Sequence, residues 1–77
     1  MNIAEHGVVV LTRDLPLHGL RVGDVGAVVH VYPENKAYEV EFLTGSGQTL
    51  AVETLEPQDV RPLGATEILH CRSISAA

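Results

Sequence analysis

The fold of this chain is decided by Gly19-Leu-Arg-Val-Gly-Asp-Val-Gly-Ala-Val-Val-His-Val-Tyr32. Gly23 and Asp24 are typical of a loop, and the β-branched residues after them predict a strand over residues 25–32. Gly26 interrupts this strand, and a glycine there marks a bulge, a tight bend or a close approach of the backbone. We expect a bend with a positive φ at Gly26. Because short sheets need such bends to fold back on themselves, the stretch predicts a small, strongly bent β-barrel.

Alternation and turn residues predict the other strands. Between residues 37 and 43, Tyr38, Val40 and Phe42 alternate with Glu39 and Glu41, as in a half-buried antiparallel strand. Further strands are expected at residues 8–12, 49–55 and 60–61, with turns at 33–36, 44–47 and 56–59. Five short strands separated by turns predict an all-β fold, a small SH3-like barrel of about five antiparallel strands over residues 1–64.

Two segments outside these strands are rich in apolar residues. In residues 14–20, Leu15, Leu17 and Leu20 predict a loop that folds over the core, and a ligand groove is the alternative. Residues 65–77 form a C-terminal tail, predicted as a brief helix or an added strand that packs on the barrel or on a neighbour. Its last residues, 75–77, are expected to be frayed.

The charge balance argues against nucleic acid and against anionic membranes as partners. The chain has 77 residues, of which ten are acidic and five are basic, and its formal net charge is −5. Binding to phosphates needs clustered Lys and Arg, and here the basic residues are scattered. No segment is typical of a signal peptide or a membrane span. Cys71 is the single cysteine, which fits a reducing, cytoplasmic location.

The residue types that bind metals or perform catalysis lack the spacing which that chemistry requires. His70 and Cys71 are adjacent and would point apart in a strand, and the other histidines form no ligand motif. We therefore expect no metal, no cofactor and no small-molecule substrate, and we expect that the chain is not an enzyme. Gly23, Asp24 and Gly26 serve backbone geometry, because no lysine and no helix follow them as in a phosphate loop.

Acidic residues suggest where a partner protein would bind. Glu39 and Glu41 lie two apart on a predicted strand and therefore share a face, and we expect Glu53 on the next strand to extend this acidic stripe. Leu17 and His18 in the loop are further candidate contacts. His30 is expected to share a strand face with Val28 and Tyr32 as a surface residue.

Three sequence blocks carry a resemblance to known proteins. They are Asp14-Leu-Pro-x-His-Gly-Leu-x-x-Gly-Asp-Val-Gly-Ala-Val-Val29, Ala37-Tyr-Glu-Val-Glu-Phe42 and Thr49-Leu-Ala-Val-Glu-Thr-Leu55. Over about residues 7–62 the chain resembles a small bacterial family, domain of unknown function 4926. The resemblance implies an SH3-like barrel without an established function. Gly-Asp-Val-Gly-x-Val is also similar to the opening of two SH3-like electron-transport accessory proteins, photosystem I subunit IV and the variable chain of ferredoxin–thioredoxin reductase. It is similar as well to the KOW element of ribosomal proteins and transcription factors.

These observations favour a non-catalytic protein-binding module, a small accessory or regulatory subunit. Its expected partner is another protein or a second copy of itself. The alternative is a neutraliser of a companion protein, of the antitoxin or immunity type, because acidity complements a basic target and speeds association. An RNA-binding, KOW-like module is a less favoured reading, since the chain lacks the basic residues for RNA contact.

Overall fold

The computed structural model describes residues 3–74 and has an all-β architecture. The predicted fraying of residues 75–77 lies outside the described residues. Three 3₁₀ turns, each beginning with proline, connect the strands at Pro16–His18, Pro33–Asn35 and Pro57–Asp59. The five strands are β1 (Val8–Leu11), β2 (Val25–Val31), β3 (Tyr38–Leu43), β4 (Thr49–Leu55) and β5 (Val60–Pro62).

The strands form one open antiparallel sheet in the order β4-β3-β2-β1-β5. Strands β1 to β4 run as a meander, and β5 returns to pair with β1. The prediction of an all-β domain with about five antiparallel strands is therefore confirmed, and β4 and β5 are the two edges of the sheet.

The core lies on the inner face of the sheet. Tyr38, Val40 and Phe42 of β3 are buried there, while Glu39 and Glu41 point away, as their alternation predicts. The remaining buried members of the core are Ile3, Val9, Leu11, Leu15, Leu20, Val28, Leu55 and Val60.

The loop after β1 closes this core with two of its three leucines. Leu15 and Leu20 are buried, and the Leu15 N–H donates to the Leu20 carbonyl over 2.9 Å. Leu17 lies between them on the Pro16–His18 turn and is 96% exposed. The loop therefore completes the core through its ends and presents its middle to solvent.

Gly26 is required by close packing and not by backbone conformation. The described glycines with positive φ are Gly19, Gly23 and Gly47, so the expected positive φ at Gly26 is wrong. A Cβ at Gly26 would lie 2.6 Å from Val40 Cγ1 and 2.9 Å from Phe42 Cε1. The close approach of β2 to the side chains of β3 therefore excludes any side chain at this position.

A bulge in β2 corrects the predicted orientation of His30. Val28 lies opposite Val40, but His30 lies opposite Glu39, so the register shifts between Val28 and His30. The extra residue is Val29, which turns the rest of the strand over. His30 therefore shares a face with Glu39 and not with Val28.

The C-terminal tail contains neither helix nor strand over residues 65–74, so the expected helix or added strand is wrong. Ile74 packs against the core next to Gly19. Ile68 and Leu69 are 90% and 66% exposed. The tail thus contacts the sheet near its end and is solvent-facing in its middle.

We expect Gly26→Ala to lower the free energy of unfolding by about 1–3 kcal/mol, because an added methyl group overpacks a filled core. In a domain of this size Tm falls by roughly 4–8 °C per kcal/mol. The matched control is Gly45→Ala, since a Cβ at Gly45 has no atom within 4 Å. Its effect should stay within about 0.5 kcal/mol. Urea unfolding compares the two variants, and equal stability would mean that Gly26 is an ordinary strand residue.

Candidate functional site

The outer face of the sheet, which points away from the core, carries a cross-strand row of four residues. Val8 lies opposite Ala27, Ala27 opposite Glu41, and Glu41 opposite Val52. Directly opposed residues in antiparallel strands project to the same side, so these four residues share one face. A second row beside it consists of His30, Glu39 and Thr54.

Apolar side chains on this face are unusually exposed for strand residues. Val8, Val25, Leu43 and Val52 are 44%, 36%, 49% and 47% exposed. A shallow hollow of about 190 Å³, which we call the apolar hollow, opens beside Val8, Val25 and Leu43. Its lining consists of Val8, Val25, Gly26, Ala27, Glu41 and Leu43.

The two carboxylates on the outer face are held in place by hydroxyl groups. Glu39 accepts hydrogen bonds through Oε1 from the Tyr32 hydroxyl, over 2.9 Å, and from the Thr54 hydroxyl. Glu41 accepts through Oε2 from the Thr49 hydroxyl over 2.6 Å. The bond to Glu39 raises the pKa of Tyr32, with burial and the nearby charge acting in the same direction. Each carboxylate keeps a second oxygen with which it can accept a hydrogen bond from a partner.

Glu53 does not extend the acidic stripe, so that prediction is wrong. It lies opposite Val40, whose side chain is in the core, and therefore projects to the opposite side from Glu39 and Glu41. Its Oε1 lies 3.3 Å from Nε2 of His18. The structure thus brings the predicted residues together in two groups, with Glu39 and Glu41 on the outer face and Glu53 beside His18.

The loop around Gly23 and Asp24, which the sequence predicted, anchors the tail through Arg72. Gly23 has a φ of 94°, which favours glycine. The Asp24 carboxylate accepts the Arg21 N–H over 2.8 Å and binds the Arg72 guanidinium, with Nε at 2.8 Å from Oδ1. Arg72 also donates to the Gly19 carbonyl over 2.9 Å. The hydrogen bond from Arg72 lowers the pKa of Asp24 against the opposing effect of burial.

A groove of about 650 Å³ separates the tail from the β3–β4 hairpin. The tail forms one wall with residues 69–74, and Phe42, Leu43 and Leu50 stand on the opposite side. Val25 and Leu43 line both this groove and the apolar hollow, so the two concavities meet at these side chains.

Other ionisable side chains pair with one another as braces of the fold. Asp59 is buried, which would raise its pKa, but hydrogen bonds from Arg13 and from the Glu56 N–H outweigh burial and lower it.

Within residues 3–74 no group of three metal-ligating side chains is placed to hold an ion. In the same part of the chain, no helix is long and apolar enough to cross a membrane.

Sequence reasoning missed the apolar part of the outer face and the hydroxyl partners of its carboxylates. The alternation in β3 predicted Glu39 and Glu41, but placing Val8 and Val52 in the same row as Glu41 requires the register of three strand pairs. A bulge in β4, between the pairs Phe42–Ala51 and Leu43–Thr49, shifts the register, so the alternation of β4 alone does not show which residues face Glu41.

Comparison with known proteins identifies a family but no characterised relative. The model of the family described as Domain of unknown function (DUF4926) matches residues 5–62. No curated protein and no solved structure gives a significant match. The matched region contains all five strands and both carboxylates of the outer face.

We expect Asp24→Asn to lower the free energy of unfolding by about 1–2 kcal/mol, because it removes the charge that holds the partly buried Arg72. The matched control is Glu34→Gln, since Glu34 is 79% exposed and faces Lys36 at 3.8 Å. The control should shift stability by less than about 0.5 kcal/mol. Urea unfolding measures both variants, and an unchanged stability of Asp24→Asn would show that the anchor contributes nothing.

Glu67 provides a pH test of the turn at the start of the tail. Hydrogen bonds from Arg61 and the Gly64 N–H lower the pKa of Glu67 from 4.5 to about 2. A carboxyl whose pKa is lower in the folded than in the unfolded state stabilises the folded state at pH values above the unfolded-state pKa. This contribution is lost as the pH falls through the folded-state pKa. The turn should therefore weaken between pH 4.5 and about 2. An NMR titration of the Glu67 carboxyl carbon measures its midpoint, and Arg61→Gln should raise it; an unmoved midpoint would contradict this assignment.

Proposed function

We propose that this chain, which belongs to the family described as Domain of unknown function (DUF4926), is a protein-binding module without catalytic activity. It acts in the cytoplasm as a small accessory or regulatory subunit of another protein. The support comes from the outer face of the sheet, where exposed apolar side chains surround carboxylates of fixed orientation.

The apolar hollow is the observation that carries this proposal. Valine and leucine side chains that are 36–49% exposed lie side by side on one face and surround a concave surface. Contiguous exposed apolar surface with a polar border is typical of protein interaction sites. The hollow is too shallow to enclose a small molecule, whereas it can receive one apolar side chain from a flat protein surface.

The carboxylates define the chemistry of the partner. Glu39 and Glu41 are oriented by their hydroxyl donors, so they can bind lysine or arginine side chains without further loss of side-chain freedom. The net charge of −5 favours the approach of a basic surface. We infer a partner protein that inserts an apolar side chain into the hollow and places basic side chains over these two carboxylates.

The acidic charge also supports the second candidate, a neutraliser of a basic companion protein. The same surface would serve that role, because steering by opposite charge speeds association with a basic target. The two candidates differ in what happens to the partner: a neutraliser abolishes its activity, whereas an accessory subunit maintains or adjusts it. An activity assay of the purified partner with and without this chain separates them.

The test is affinity capture with a charge-reversed outer face. We expect the wild-type chain to retain a stoichiometric partner from native lysate, and Glu39→Lys with Glu41→Lys to lose it. The matched control is Glu5→Lys with Glu34→Lys, which changes the net charge equally at exposed positions elsewhere. Circular dichroism confirms that both double variants are folded. The expected loss of affinity is at least about tenfold, since close charge pairs contribute about 1.5 kcal/mol or more.

Two results would contradict the proposal. Equal loss of the partner in both double variants would mean that net charge acts without a defined surface. Retention of the partner by the outer-face variant would place the binding site elsewhere, with Leu17 and His18 as the next residues to substitute.

A further inference from the structure

The two edges of the sheet differ in how far they are protected. Edge strand β5 has three residues and ends in Pro62, which has no N–H to offer to another strand. Arg61 of β5 binds Glu67 of the following turn through two hydrogen bonds of 2.7 and 2.8 Å. This edge is therefore blocked by its own sequence and by the start of the tail.

Edge strand β4 is less protected, with a bulge at Leu50 near its start and one inward-facing charge, Glu53. It is seven residues long, Thr49-Leu-Ala-Val-Glu-Thr-Leu55, and contains no proline, glycine or lysine. Across the described part of the chain, no backbone hydrogen bond outside the sheet involves residues 49–55. A strand of this kind offers a row of free backbone donors and acceptors for pairing with another strand.

We propose that β4 pairs antiparallel with β4 of a second copy of this chain. The sheet then continues from one copy to the other across a two-fold axis. This contact uses the edge of the sheet and lies beyond the docking of a basic partner on the outer face.

The strand is complementary to itself in one register. When the axis passes through Val52, Val52 of each copy faces Val52 of the other, and the regular pairing ends at the bulge where Leu50 is the extra residue. Glu53 is the one charged residue of β4, and in this register it faces Ala51. A register centred on Glu53 would place two carboxylates directly opposite each other, which is destabilising. Within each copy, Nε2 of His18 lies 3.3 Å from Oε1 of Glu53.

The outer face favours a second copy over an unrelated strand. The row of Val8, Ala27, Glu41 and Val52 ends at the β4 edge with Val52 47% exposed. In the proposed dimer that side chain packs against its own symmetry mate, and an apolar pair of this kind stabilises adjacent strands. The row then runs without interruption across both copies.

The experiment measures self-association of the purified chain by analytical ultracentrifugation, from about 1 μM to about 1 mM. We expect a reversible dimer, and Val52→Lys should weaken it at least about tenfold, because two lysines would face each other at the axis. The matched control is Val29→Lys, since Val29 is 40% exposed on the β2 bulge, away from β4. Val29→Lys should leave the dimer unchanged.

Hydrogen exchange at low and high protein concentration locates the contact. We expect amides of β4 to become slower to exchange as the dimer forms, while amides of β5 stay the same. A chain that remains monomeric at the highest concentration overturns the proposal. A dimer that Val52→Lys leaves intact, or one that protects β5, overturns it too. Protection of β4 by a strand of a different protein, with the chain alone monomeric, likewise rejects the second copy.

Discussion

The close packing of Gly26 in β2 against the side chains of β3 is the constraint on which the rest of the structure depends. Because this residue has no Cβ, β2 approaches Val40 and Phe42 closely enough to bury both side chains almost completely. Gly26 also lies opposite Val9, so the same residue fixes the spacing of three adjacent strands. A chain of 77 residues has a small core and only one cysteine, and small cores leave little stability in reserve. A displacement at this point would therefore spread through the whole sheet.

Charged side chains then hold the connecting segments on that sheet. Arg72 binds Asp24 and carries the end of the tail back to the loop before β2. Arg13 binds the buried Asp59 and ties the loop after β1 to the turn before β5. These pairs connect residues far apart in sequence, and each joins a basic residue to a carboxylate that is oriented by a backbone N–H. With the Arg61–Glu67 pair, these contacts use three of the five lysine and arginine residues. The two rows of the outer face contain carboxylates but neither lysine nor arginine.

Much of the fold could be predicted from the sequence, because strand alternation and turn residues are local signals. The alternation in β3 and the 3₁₀ turn at Pro57–Asp59 are examples. The face of the sheet that a side chain occupies after a β-bulge could not be predicted from these local signals. The bulge at Val29 reverses which side His30 faces, and no residue in that segment marks it. The prediction for Glu53 was wrong for a related reason, because the face of the sheet on which Glu53 lies follows from its pairing with Val40 in β3. The tail has helix-compatible residues, but the Arg72–Asp24 pair and the packing of Ile74 hold its end against the sheet without regular structure.

The outer valines are exposed beyond what the fold requires, since a polar residue at Val8 or Val52 would keep the same strand pairing. Their position is linked to the fold all the same, because Gly26 both packs under β3 and lines the apolar hollow. Strand β4 contributes to two different surfaces, through the side chain of Val52 on the face and through its backbone at the edge. These surfaces respond to salt in opposite ways. Screening weakens the attraction between an acidic face and a basic partner, but it reduces the repulsion between two copies that each carry −5. Under the two proposals, rising ionic strength is therefore expected to favour self-pairing over docking, without any change in the fold.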